Sequence, residues 1–90
     1  MSEQETDTLI EFPCEFPIKA MGPANVGLDE IVVSIIRGHV EDIKEGSINT
    51  KHSSGGKFTS ITVTITAISK KQLDAIYQQL SDHEHVKYVL

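Results

Sequence analysis

Ninety residues with 39% in the apolar set supply about 35 apolar side chains, enough for one hydrophobic core and too few for two domains. The net charge is -5, and Glu3, Glu5, Asp7 and Glu11 crowd the first eleven positions; the remaining body is near -1, and its scattered cations argue against nucleic-acid binding. One cysteine, Cys14, excludes an internal disulfide, no apolar run approaches the roughly 20 residues of a membrane helix, and the acidic start is unlike a signal peptide, so a cytoplasmic protein that does not enter membranes is expected.

Residues 1–8 read as a disordered acidic tail and residues 9–90 as a single domain. Pro13 and Pro17 forbid a helix through their stretch, which predicts a strand over 15–21. Gly22-Pro23-Ala24-Asn25 is turn chemistry. After it Leu28, Ile31, Val32, Ile35, Ile36, His39, Val40 and Ile43 recur at helical spacing and predict a helix over 26–41, with Asp29 and Glu30 at the positive end of its dipole and Gly38 loosening its last turn.

Residues 47–53 are polar except for Ile48, and Ser54-Gly55-Gly56 supplies a turn into a strand over 57–67, so this region reads as a hairpin with a weak outer arm. In the inner arm Ile61, Val63, Ile65 and Ala67 alternate with Ser60, Thr62, Thr64 and Thr66, the period of a strand buried on one face. Ser69 and Gln72 form a capping box, with Ile68 placed to staple onto Leu73, and start a second helix whose inner face is Leu73, Ile76, Tyr77 and Leu80. A last strand is predicted over 84–90, with Val86, Tyr88 and Leu90 alternating against Lys87.

The order βαββαβ defines an α+β, ferredoxin-like sandwich: a four-stranded antiparallel sheet in the order 4-1-3-2 with two helices on one face. Its open face is expected to carry Ser60, Thr62 and Thr64 with Lys19, Met21 and Lys87.

Several chemistries known on this topology lack their residues. An acylphosphatase needs an arginine in the phosphate loop after the first strand, and residues 22–29 hold no cation, the sole arginine being Arg37. Metal transport asks for a C-x-x-C pair, and Cys14 is alone. RNA-recognition domains stack bases on aromatics of the third strand, where Ser60, Thr62 and Thr64 stand. His83 and His85 have no third ligand nearby in sequence, and His39 reads as a helix-end residue bonded to a carbonyl. Cys14 has no neighbouring cation to make it reactive.

One ligand-binding set remains. Lys19 is placed on the open face, next to a turn whose Gly22 and Ala24 N–H groups and Asn25 side-chain amide lead into a helix N-terminus, an arrangement suited to an anion. The plainer reading pairs Lys19 with Glu11 or Glu15.

Four stretches, Leu9-x-Glu11-Phe12-Pro13, Phe16-x-x-Lys19-x-Met21-Gly22, Ser53-Ser54-x-Gly56-x-x-x-Ser60-x-Thr62-x-Thr64 and Val86-Lys87-x-Val89-Leu90, together resemble the YbeD-like family of small bacterial proteins. The resemblance covers residues 9–90. It implies a fold close to the ACT regulatory domains, which bind small ligands such as amino acids at subunit interfaces, and a link to lipoate metabolism. Residues 38–42 lack the proline that relatives carry there, which lengthens the expected first helix, and Met21-Gly22-Pro23 keeps the glycine of the ACT loop without its acidic residue.

The expected function is therefore non-enzymatic regulation or binding in bacterial metabolism, with no cofactor. The expected partners are a protein or a small anionic metabolite, with self-association through the open face or a sheet edge. The alternative is an enzyme acting on an acyl or phosphoryl substrate.

Overall fold

Proline cannot donate to a ladder, so Pro17 fixes which side of its strand can be left unpaired. In the computed structural model, which describes residues 11–41 and 43–90, the first strand β1 runs Cys14–Pro23, longer at both ends than the 15–21 expected. Along its full length it pairs antiparallel with Phe58–Ala67, the strand β3. Lys19 instead exchanges both backbone bonds with Leu90 on the other side, at 2.7 and 3.3 Å. By alternation Pro17 turns its missing donor to that same side, beyond Leu90, where no described strand lies. The expected tail over residues 1–8 lies outside the described residues.

The remaining elements are the helix α1 (Leu28–Arg37), a 3-10 turn (Glu45–Ser47), the strand β2 (Ile48–His52), the helix α2 (Lys70–Asp82) and the strand β4 (Tyr88–Val89). The sheet order is β2-β3-β1-β4, which is 4-1-3-2 read from the β4 edge. This is the ferredoxin-like arrangement. Ile18 and Ala20 of β1 and Ile61, Val63 and Ile65 of β3 face Leu28, Val32 and Ile36 of α1 and Leu73, Ile76 and Leu80 of α2 in one core. Each fully buried Ile or Leu there contributes roughly 1.5–3 kcal/mol. No helix among the described residues is long and apolar enough to cross a membrane.

α1 is shorter than the 26–41 expected, for a reason at each end. Gly27 caps it in the left-handed region (φ 70°, ψ 42°), a conformation that a side chain resists, so the helix cannot begin before Leu28. At the other end Gly38 and His39 donate to the carbonyls three residues back, Ile35 and Ile36, and this tightened turn closes the helix. Ile43 is buried all the same, reaching the core from the connection rather than from the helical stripe. The longer first helix that the resemblance implied is therefore not formed.

The capping box at α2 forms with a shifted return. Ser69 Oγ accepts from the Gln72 N–H at 3.0 Å, while Gln72 Oε1 accepts from Ile68 N–H at 2.8 Å, one residue earlier than the usual reciprocal bond. The Gln72 side-chain amide also donates to the His39 carbonyl at 3.0 Å, tying the start of α2 to the end of α1. His39 in turn bonds a carbonyl oxygen, Oε1 of Gln79, at 2.7 Å. Ile68 is 63% exposed, so little of it is covered in the way a staple onto Leu73 would cover it.

β4 differs most from expectation. Only Tyr88–Val89 is regular strand, because residues 84–85 turn and Val86 donates back to His83 O at 3.1 Å. Val86 enters the core from that turn, so it does not set the alternation of the strand that follows. The register pairs Val89 with inward Ala20 and Tyr88 with Met21, so Tyr88 and Leu90 stand on the open face. Lys87 does not join them; its Nζ instead donates to Glu84 O at 3.4 Å.

Gly22 makes this edge feasible. A Cβ at Gly22 would collide with the carbonyl oxygen of His85 and press on Leu28 Cδ1 at 3.2 Å. Gly22→Ala is expected to destabilise the fold by about 3 kcal/mol, as overpacking against backbone does, whereas Gly46→Ala, with open space around it, stays within about 0.5 kcal/mol; urea melts of both check this. Ser69→Ala is expected to lower the same midpoint by the equivalent of about 1 kcal/mol through loss of the α2 cap.

Candidate functional site

Side chains on the face away from the helices come in cross-strand rows. Tyr88, Met21, Ser60 and Lys51 form one row from β4 to β2, and Leu90, Lys19, Thr62 and Asn49 lie in the next. Lys19, Met21, Tyr88 and Leu90 wall a hollow of about 150 Å³ whose floor includes Ala20. Met21 also lines a second hollow of about 200 Å³ on its β3 side, with Lys51, Phe58 and Ser60. Met21 is thus shared by both.

Tyr88 is 67% exposed, Leu90 72% and Phe58 48%, so three of the four large apolar side chains most exposed among the described residues belong to this one face. Scattered apolar residues are ordinary on a surface; a cluster beside lysines marks a place for contact. Glu15 is the acid of β1 on this face, opposite Thr66 and well along the strand from Met21. Among the described residues Lys70 is paired with Asp74 and the Glu84 carboxylate lies 3.9 Å from the His85 ring, so Lys19 pairs with neither Glu11 nor Glu15.

The four residues expected to hold an anion are not gathered into one site. Lys19 lies on the open face as expected, but Gly22 belongs to β1 and faces inward, three positions on, against Leu28 and His85. The Ala24 N–H donates to Lys57 O at 3.0 Å and is engaged in the chain's own backbone. Asn25 is exposed in the turn, ahead of a helix that starts only at Leu28. Strand alternation is the physical reason, since it sends residues 19 and 22 to opposite faces.

Tyr88, Leu90 and Phe58 were not among the expected site residues. The signal in sequence was Val89, which must face inward if its two neighbours face out, but Val86 offered an equally apolar anchor for the opposite phase.

Elsewhere, His83 Nδ1 accepts from the His85 N–H at 3.1 Å, which leaves that nitrogen to the chain itself, and no three His, Cys, Asp or Glu side chains among the described residues could hold a metal together. His52 Nδ1 lies 3.0 Å from Oγ1 of buried Thr59. A larger hollow of about 390 Å³ between α1 and β2 sets Asp29 and Glu30 beside Arg37, charges of both signs around Val33 and Ile48.

The hollow at Lys19 is supported from behind by Tyr77. Its ring meets Phe16 edge-on with centroids 6.4 Å apart, and its hydroxyl donates to Leu90 O at 3.3 Å. Burial pushes the Tyr77 phenol above its ordinary value of 10. The folded state therefore holds this proton more tightly than the unfolded chain, so its contribution is complete below pH 10 and is lost as pH climbs through the raised value. Unfolding titrations are expected to show a decline in stability above pH 10 that is shallower in Tyr77→Phe, while near neutrality the variant loses no more than about 1 kcal/mol.

Fold and surface together define a ferredoxin-like α+β domain whose helices cover one sheet face and whose other face offers an apolar hollow edged by a lysine. Residues 7–90 match the family described as "Protein of unknown function (DUF493)", and the chain belongs to that family, the same one that the YbeD-like resemblance indicated. It is 43% identical over 84 residues to a UPF0250 protein of Paraburkholderia phytofirmans, covering 93% of this chain and 94% of that one. It is 44% identical over 91 residues to UPF0250 proteins of Janthinobacterium sp. and of Neisseria gonorrhoeae, each alignment covering the whole of both chains.

Proposed function

We propose that this chain is a non-enzymatic binding module of bacterial metabolism, acting in the cytoplasm on a protein partner or a small anionic ligand through the open face around Lys19. The observation that carries this reading is that the exposed Lys19 side chain lines one hollow with Met21, Tyr88 and Leu90, so that a cationic side chain borders apolar walls. Lys19 is exposed, so its ammonium attracts a carboxylate with the modest strength of a surface charge pair. The adjoining walls recognise aliphatic carbon, so the matching ligand carries both. A fatty-acyl carboxylate has this pairing, in keeping with the link to lipoate metabolism that the family resemblance implies.

The competing reading is an enzyme acting on an acyl or phosphoryl group. Catalysis there requires a nucleophile, a base and an oxyanion donor in register. Of the lining residues only Lys19 and Tyr88 carry groups that can hold or move a proton, and the thioether of Met21 and the aliphatic carbons of Ala20 and Leu90 offer them neither a partner nor an oxyanion donor, which favours binding.

Titration with octanoate, followed by amide shifts, is expected to move Lys19, Met21, Tyr88 and Leu90, with acetate far weaker. Lys19→Ala should weaken octanoate binding about fivefold, the roughly 1 kcal/mol of a partly exposed charge pair. Turnover of acyl phosphates, phosphoesters or octanoyl esters that disappears in Lys19→Ala would instead establish the enzyme.

A further inference from the structure

The open face is wider than one small ligand needs. The two hollows that share Met21 spread across β4, β1, β3 and β2, and a second cation, Lys51, stands at the far end of the Tyr88–Met21–Ser60 row. Neighbouring strands lie roughly 4.8 Å apart and alternate residues roughly 6.6 Å apart along a strand. Lys19 and Lys51 are two strands and one row from each other, so their backbones are separated by roughly 12 Å. Apolar depressions lie between and beside them, next to Phe58, Tyr88 and Leu90.

Resting on the binding reading above, we infer that the occupant is an acidic, aliphatic segment of a protein partner, lying across the sheet with aliphatic side chains in the two hollows and carboxylates on Lys19 and Lys51. Charge complementarity chooses it. The first eleven residues carry four acids and the rest of the chain is near -1, yet this face presents two lysines around exposed apolar groups, with Glu15 set apart at the other end of β1. In an extended segment every second side chain shares a face, so two acids six residues apart can bracket two leucines over a span of roughly 20 Å, long enough to reach both lysines. The flexible lysine stems take up the remaining difference. A basic segment would meet like charge, and a second copy of this face would set lysine against lysine.

The probe is an acetylated, amidated peptide Ser-Glu-Ser-Leu-Ser-Leu-Ser-Glu-Ser, with a counterpart carrying Lys for both Glu, each titrated into the full chain alongside octanoate. The acidic peptide is expected to shift the amides of Lys19, Met21, Ser60, Lys51 and Tyr88, to weaken as salt is raised, and to bind at least roughly tenfold more tightly than the basic one. In Lys19→Glu combined with Lys51→Glu the preference is expected to reverse, a gain that misfolding cannot imitate, and Tyr88→Ser should weaken both pairings by removing a wall. Octanoate binding at the hollow without a preference between the peptides overturns the protein-segment inference and leaves the binding reading standing. If neither octanoate nor the acidic peptide binds this face, both fall. A dimer in sedimentation with Met21 and Tyr88 shielded from solvent identifies a second copy as the occupant and likewise overturns the inference.

Discussion

The approach of the His85 carbonyl to the bare Cα of Gly22 governs the far edge of the sheet. With no side chain in the way, the turn after α2 comes close enough for Lys87 N–H to donate to Met21 O at 2.8 Å and for Leu90 to exchange bonds with Lys19. Once those bonds form, the register is fixed, and a register fixed by backbone contact determines the face of every side chain that follows. Val89 goes to the core, and Tyr88 and Leu90 are left outside beside Met21 and Lys19. The candidate surface is thus a consequence of one steric allowance on the opposite face of the sheet.

The rest of the molecule makes that edge stable enough to matter. A two-residue strand contributes little by itself, and β4 is held as much by Val86 in the core and by the Tyr77 hydroxyl on Leu90 O as by its ladder. Tyr77 in turn rides on α2, whose first turn is fixed by Ser69 and whose Gln72 reaches across to the end of α1. Helix capping, helix-to-helix contact and the placing of Leu90 therefore form a connected set. Its members lie far apart in sequence but near one another in the fold.

The ferredoxin-like fold hosts many unrelated activities, so it cannot choose among them, and membership of the DUF493 family supplies relatives without supplying a reaction. What discriminates is local chemistry. A threonine-rich face would simply be wetted, but at its β4 side the polar rows end in methionine, tyrosine and leucine bordered by a lysine. A surface of that kind is suited to recognition through shape and charge together.

Periodicity in the sequence determined the fold class, because Leu28, Val32 and Ile36, then Ile61, Val63 and Ile65, then Leu73, Ile76 and Leu80 each keep a period that one buried face imposes. The Ser69 cap and the place of Lys19 on the open face were equally legible, since both depend on neighbours within a few positions. Helix ends were not. Gly27 and Gly38 could be seen in the sequence, but whether either takes up a capping conformation depends on where the chain must go next. The fold sets Lys19 apart from Gly22, Ala24 and Asn25, because nearness along the chain says nothing about which face each residue meets or that Lys57, more than thirty positions away, claims the Ala24 N–H. Tyr88 and Leu90 joined Lys19 and Met21 only when β4 docked, for the phase of a two-residue strand is set by the partner it pairs with and not by its own alternation.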